Sequence, residues 1–556
     1  MTRFDRQALK RLATLAKPFF ISELKWKACG LLLLIGCFSM SVSGVNVMMS
    51  YIGRDFMTSL SLKDEAEFFK QLYLYLGAFA LATPIVVFYR YSEERLGLMW
   101  RRWLSTHILK RYFANHSYYR LNWFSGIDNP DQRIEEDIRS FCVQSLSFLL
   151  IIFNSCIALF AFMGILWTIS VKLTIAVVLY AFVGSLLTYF LGRPLIGLNF
   201  AQLKKEADYR YKLINVRDNA ESIAFFKGEA KEFTRTRQRL KTALTNLLSI
   251  INWNRNLNFF TTGYNYLVTI LPTIIVAPLY LEGKIEFGVV TQAGFAFGQV
   301  LGALSIIVLN FGSLSAFAAV VNRLGSFWEA LDEVEQGEAK GVSIIQTAEE
   351  KYIAFEDVTI YTPNRDQKLV ERLSFVLIGQ SLLITGPSGS GKSSLLRALA
   401  GLWSSGDGRI TRPNLERSIF LPQRPYMILG TLRHQLLYAQ RKRGRLDSEL
   451  LDVLKLVKLE DMFKRVGGFD VTMDWSNVLS TGEQQRLAFA RLILFNPNLA
   501  FLDEATTALD SDSEELIYQA LKKRMNFYVS VGYRSTLAKY HDLVLELKGD
   551  GTWRLQ

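Results

Sequence analysis

The chain has 556 residues, half of them hydrophobic, with 39 Phe, 23 Tyr and a formal net charge of +13. A positive mean hydropathy beside 21% charged residues excludes a single soluble globule and requires an apolar part joined to a soluble one. The basic excess fits either nucleic acid or loops on one side of a membrane. Its placement along the chain decides for loops.

The first 27 residues are basic and carry short amphipathic pieces, with Arg3, Arg6, Lys10, Arg11 and Lys17. Residues 28–51 then form an apolar stretch long enough to cross a bilayer and too long for a secretory signal core, without a clean cleavage site. Further apolar stretches over residues 69–88, 145–169, 173–195, 259–280 and 289–317 predict six spans. The connection 52–70 is acidic, with Asp55, Asp64, Glu65 and Glu67, while 90–139 and 193–255 are long and dense in Lys and Arg. The positive-inside rule places both termini and the two long connections in the cytoplasm, and their helical periodicity predicts helices that run well past the bilayer.

Cys29, Cys37, Cys142 and Cys156 show no metal-site spacing and read as packing residues. Asn46, Asn154, Tyr264, Asn265, Gln292, Gln299 and Asn310 lie inside the spans, Gln292 and Gln299 on one helix face. Two readings stand side by side: a polar cargo cavity, or hydrogen bonds between helices. Pro272 and Pro278 predict kinks in the fifth span, for a gate or for packing.

A polar linker around residues 335–341 separates a membrane domain, 1–340, from a second domain, 341–556. Residues 353–360 and 369–377 alternate like strands of a small antiparallel sheet. Leu382, Leu383 and Ile384 read as a buried parallel strand and residues 395–402 as a helix. Between them Gly386, Pro387, Ser388, Gly389, Ser390, Gly391, Lys392, Ser393 and Ser394 form a G-x-x-x-x-G-K-S phosphate-binding loop. Its backbone N–H groups and the helix N-terminus suit phosphates, Lys392 the β- and γ-phosphates, and the Ser393 hydroxyl Mg²⁺. Downstream, residues 499–502 form an apolar strand ending in two carboxylates. Asp503 is placed to hold Mg²⁺ through water, and Glu504 is the natural general base for an attacking water. A strand over 528–532 and a hairpin at residues 549–551 complete an α/β domain that binds a nucleoside triphosphate.

Leu479, Ser480, Thr481, Gly482, Glu483, Gln484, Gln485 and Arg486 resemble the signature of ABC transporter ATPases and lie just ahead of the second strand motif. Gln423 resembles that family's Q-loop glutamine, and Ala508, Leu509 and Asp510 its D-loop. Gly401–Leu402–Trp403, Pro422 to Tyr426, Asp474–Trp475, Glu483, and residues 128–134 and 219–224 are similar to subfamily D and its bacterial relatives, including those related to SbmA/BacA peptide transporters. The resemblance implies an exporter-type six-helix membrane domain followed by a P-loop ATPase domain. It also implies a half-transporter that works as a dimer of two identical subunits in a lipid bilayer. ATP with Mg²⁺ is then clamped between one phosphate loop and the other subunit's Ser480, Gly482 and Glu483. Gln423 joins Ser393 and Asp503 at the metal, and Lys392, Gln423 and Glu504 serve the chemistry. Coupling contacts are expected near Pro130 to Arg133 and in the second long connection.

The chain departs from the family at two places. Tyr533 stands where the family has a histidine on the γ-phosphate, and His541 is close in sequence but off the motif. The adenine-stacking aromatic falls nearest Tyr361, with Thr362 at the aligned position. The resemblance implies an ATPase coupled to movement of a small or medium solute, leaning to hydrophilic cargo such as cobalamin or a peptide, in a bacterial inner membrane, with no nucleic-acid partner. Fatty acyl-CoA transport and a nucleotide-gated regulator with slow hydrolysis are the alternatives.

Overall fold

A computed structural model describes residues 6–124, 127, 129–336, 345–363, 365–403, 405–439, 444–525 and 527–556. They group into two compact units: Met1–Asn115 with Ile127–Asp332, and His116–Gly126 with Glu333–Gln556. The inter-domain boundary expected near residue 340 lies outside the described residues.

The first unit is helical. Its helices are α1 (Arg6–Ile21), α2 (Lys25–Leu62) and α3 (Glu65–Phe113), then, after α4 (Ser117–Phe124) of the other unit, α5 (Pro130–Gln132), α6 (Ile138–Ile169), α7 (Val171–Asp218), α8 (Ala220–Phe225), α9 (Glu229–Leu281), α10 (Phe287–Leu309) and α11 (Phe311–Gln336). Among the described residues six helices are long and apolar enough to cross a membrane, the number expected. At 1.5 Å per residue the 49 residues of α3 and the 53 of α9 span about 73 and 80 Å, more than twice a hydrocarbon core of about 30 Å. Among the described residues the two basic connections are thus mostly helix, as their periodicity predicts. Asp64 caps α3 by accepting from the Glu67 N–H at 3.1 Å, with Glu65 and Glu67 in the first turn and Lys110 and Arg111 in the last, matching the helix dipole. The sixth apolar stretch differs from expectation: its helix stops at Leu309, and α11 starts after Asn310.

Inside this unit α2 packs on α3, α7 on α9, and α10 on α6 and α2. Several in-span polar residues bond between helices. Asn154 accepts from Ser39 of α2 and donates to the Tyr89 hydroxyl of α3 at 2.9 Å. Tyr180 and Tyr264 stack at 4.3 Å, and each hydroxyl donates to the other's backbone carbonyl, at 2.7 and 3.0 Å. Gly184 makes room for this, since a Cβ there would lie 2.3 Å from the Tyr264 ring. Lower down, Asn246 donates to Leu198 O and Gln202 and accepts from Lys205, and Lys212 pairs with Glu232. For Asn154 and Tyr264 the helix-bonding reading holds. Gln292 is buried with its amide nitrogen unpaired among the described residues. Helix α9 runs through both Pro272 and Pro278. The amphipathic α1 buries Ala8, Leu15 and Phe19, stacks Phe19 on Trp100 at 5.6 Å, and ties Arg11 to Glu329 at 2.7 Å.

Pro130–Gln132 and Arg133 belong to the membrane unit, where Arg133 donates to Arg323 O and to Ser326 at 2.6 and 3.0 Å. Helix α4 groups with the second unit. Arg133's partners lie about 190 residues away in sequence, so nothing local announces that it is claimed.

The second unit holds two main sheets. One orders β1 (Gln346–Glu349), β5 (Gly406–Arg412), β2 (Ile353–Tyr361) and β3 (Lys368–Leu377); β2 is antiparallel to both β3 and β5. The other orders β12 (Trp553–Leu555), β11 (Leu543–Leu547), β4 (Leu382–Thr385), β10 (Tyr528–Val531), β9 (Leu499–Asp503) and β6 (Ser418–Leu421), parallel except for the edge strand β12. Helix α12 (Lys392–Leu399) buries Leu395, Leu396 and Leu399 in the core shared by the two sheets. Its first residue is Lys392, three ahead of the expected start. The other core joins α13 (Leu432–Leu437), α14 (Asp447–Leu456), α15 (Glu460–Val466), the turn α16 (Trp475–Val478), α17 (Thr481–Phe495) and α18 (Ser511–Arg524). A small ribbon pairs β7 (Leu429–Thr431) with β8 (Thr472–Asp474).

Candidate nucleotide site

The phosphate loop spans the turn between β4, whose Leu382, Leu383 and Ile384 are buried, and α12. Gly386 sits at φ 140° with Leu547 O only 2.2 Å from where a Cβ would be, so no other residue fits. Lys392 folds back under the loop and donates to Gly386 O and Pro387 O at 2.9 and 2.8 Å. The Ser390 hydroxyl is buried with no partner among the described residues, a donor that a phosphate oxygen would satisfy. The loop therefore fits a nucleoside triphosphate.

Asp503 closes β9 and accepts from the Ser393 hydroxyl at 2.8 Å. Glu504 follows with left-handed backbone, φ 49°, its N–H bonded to Val531 O at 3.1 Å and its carboxylate accepting from Gln423 at 2.9 Å. A serine hydroxyl, a carboxylate and the oxygen of a primary amide are hard donors suited to Mg²⁺. Among the described residues no three His, Cys, Asp or Glu gather, so a cation here would complete its shell with phosphate and water.

The signature starts α17. Ser480 is its N-cap: its hydroxyl accepts from the Glu483 N–H at 3.2 Å while the Glu483 carboxylate accepts from the Ser480 N–H at 2.9 Å. Gln485, two residues on, is buried and donates to Gln423 O and to Thr507 at 3.2 and 3.3 Å, and accepts from the Ala508 N–H at 3.0 Å. One side chain thus joins signature helix, Q-loop and D-loop. Against this site stand the comparisons. Residues 15–281 match the family described as ABC transporter transmembrane region 2, and residues 372–507 match the ABC transporter family. An uncharacterised ABC transporter ATP-binding protein of Synechocystis is 45% identical over 96% of this chain and 82% of its own length.

The chain belongs to the ABC transporters.

Within them it is a half-transporter of the subfamily D kind, one membrane region and one ATPase domain, with ATP hydrolysis coupled to transport. ABC transporter D family member 2, chloroplastic, of Arabidopsis thaliana is 41% identical over 98% of this chain and 88% of its own. The Lysosomal cobalamin transporter ABCD4 of Homo sapiens is 31% identical over 100% and 97%. A bacterial Atm1-family ABC exporter with ATP bound shares the fold, with TM-score 0.74 and 19% identity over 95% of each chain.

In this ABC transporter Tyr533 is 64% exposed and lines a cleft of about 660 Å³ with Leu509, Asp510, Ser511, Glu514, Arg534 and Thr536. His541 does not stand in for the family histidine. It is buried between Ser530 and Leu537 O, each 2.8 Å away, edge-on to Tyr518 and Tyr528, and burial holds its pKa down at about 4. Tyr361 ends β2 with its ring 5.2 Å from the Arg365 guanidinium. Four residues have roles that a reading by motif does not assign. Gln485 joins the three loops. Arg534 holds the D-loop through Leu509 O at 3.4 Å and its two flanks through Thr507 O at 3.2 Å and Glu514 at 3.3 Å. Buried Arg491 donates to Tyr426 O and Gln435 O at 2.7 Å, and Arg465 pairs with Glu483 at 2.9 Å. Gln485 and Arg486 flank one another within the signature, so the helical period alone could have turned Gln485 inward.

Proposed function

We propose that this ABC half-transporter works as a homodimer in a bacterial inner membrane, with its N-terminus and ATPase domain cytoplasmic, and moves a hydrophilic solute of the size of cobalamin or a short peptide. The domains in this reading are residues 1–340 and 341–556. The observation that carries the chemistry is the pair of contacts Ser393–Asp503 and Gln423–Glu504, which brings metal-type and base-type groups from three separate segments to one place.

In the proposed cycle residues 386–394 wrap the phosphates and Lys392 leaves its two loop carbonyls for the β- and γ-phosphates. Ser393, Gln423 and Asp503 would hold Mg²⁺, which when bound would neutralise phosphate charge. Glu504 takes the proton of the attacking water, and Gln423 orients it through the 2.9 Å bond. Ser480, Gly482 and Glu483 of the partner subunit cover the nucleotide, Tyr361 stacks on adenine, and Tyr533 gives the γ-phosphate a single hydrogen bond where the family has histidine. ATP then bridges two subunits, and its hydrolysis removes the bridge.

Support for the cargo comes from the cobalamin transporter, similar over 100% of this chain and 97% of its own. The test is uptake into proteoliposomes of labelled cobalamin, a peptide and an acyl-CoA, native protein against Glu504→Gln. ATP-driven accumulation of cobalamin or peptide, absent in the variant, is the expected result. Accumulation of acyl-CoA alone would replace the cargo. A second reading, a nucleotide-gated regulator, is favoured by Tyr533, and solute flux that never exceeds equilibrium would establish it.

A further inference from the structure

Glu483 poses an electrostatic problem. A helix N-terminus carries about half a positive charge and free N–H groups, which is what makes it a seat for phosphate. A carboxylate three residues into α17 reverses that sign. The chain answers with Arg465, in the last turn of α15, whose Nη2 lies between both Glu483 oxygens at 2.9 and 3.0 Å. One of those oxygens also accepts from the Ser480 N–H, and the Ser480 hydroxyl accepts from the Glu483 N–H, which leaves its own proton free to point out of the helix. Burial opposes ionisation of Glu483, yet the bonds from Ser480 and Arg465 hold its pKa below the usual carboxylate range, so it is charged at neutral pH. As a brace for the fold such a pair contributes little: the Arg465 side chain is 56% exposed.

We propose that Arg465 is a positioning residue for ATP turnover: by neutralising Glu483 and fixing its carboxylate on the Ser480 N–H, it lets the signature helix present donors and positive potential to the terminal phosphate of the ATP bound by the partner subunit. This rests on the homodimer reading above. Arg465 bonds to the Glu483 carboxylate and acts through it.

The test is a double-mutant cycle on the full-length protein in nanodiscs, reading KM for ATP and kcat separately, with Arg465→Gln, Arg465→Lys, Glu483→Gln and Arg465→Gln/Glu483→Gln. One uncompensated charge beside the phosphate, partly screened by water, predicts about a fivefold rise in KM for Arg465→Gln. In the Glu483→Gln background the same change should cost less than about twofold, because no charge remains to neutralise, and Arg465→Lys should recover most of the loss. An equal loss in both backgrounds, or no loss in either, overturns the proposal. ATP-dependent association of the ATPase domains is followed in parallel in Glu504→Gln protein. If native protein hydrolyses ATP and the domains associate, a failed cycle sinks only the role of Arg465. If they never associate, the homodimer reading falls and takes this proposal with it.

Discussion

At the scale of single residues two aromatic-ring positions set measurable behaviour. Tyr533 presents one hydroxyl where an imidazole has two nitrogens, and it projects into an open cleft. Tyr533→His is expected to raise ATPase kcat about tenfold, with KM little changed, in a steady-state assay; unchanged turnover would show that Glu504 needs no help from this position. His541 governs acid stability. The unfolded chain binds its proton near 6.5, whereas the folded chain, with the ring buried, does so only near 4. Stability from this group is therefore complete above pH 6.5 and drains as pH falls toward 4, by up to about 3 kcal/mol. Melting curves between pH 7.5 and 5 should slope downward for the native protein and flatten for His541→Gln. Position 533 is also where sequence reading reaches its limit: the motif shows that histidine is missing, but only packing shows that His541 is locked in the core.

At the scale of elements the ATPase domain is held together by side chains that cross between segments. Arg491 on α17 satisfies Tyr426 O, Gln435 O and the Gln435 amide oxygen, and burial lowers its pKa to about 10. Arg491→Met keeps the volume but removes the donor from Gln435 O and Tyr426 O and leaves the Gln435 amide oxygen only the Ile428 N–H, at a cost of about 2–4 kcal/mol. Denaturant titration followed by tryptophan fluorescence should show it as an earlier transition. The strands β2, β3, β4, β9 and β10 and the six spans could be read from sequence because each announces itself within a dozen or two residues by alternation or apolar length. β1 could not: its four residues are Gln, Thr, Ala and Glu, an edge strand with no apolar face. The ion pairs Arg534–Glu514 and Arg465–Glu483 were illegible for a different reason. Each links residues that only the folded chain brings together.

At the scale of the whole molecule, phosphate loop and second carboxylate motif were legible because the chemistry demands contiguous residues. The place of Arg133 in the membrane unit was not, since it is claimed by Arg323 and Ser326 from far along the sequence. Helix α4 is instead the stretch that groups with the ATPase unit. The reciprocal hydroxyl bonds of Tyr180 and Tyr264, with Asn246 and the Lys212–Glu232 pair further along, fasten α7 to α9 at three heights. A slip of one residue between those two rods would undo both tyrosine bonds at once, so they can swing as a single oar but cannot slide like pistons. Helix α10 meets both rods, and chemical staples placed across that border should stall the stroke while staples between the two rods leave it running.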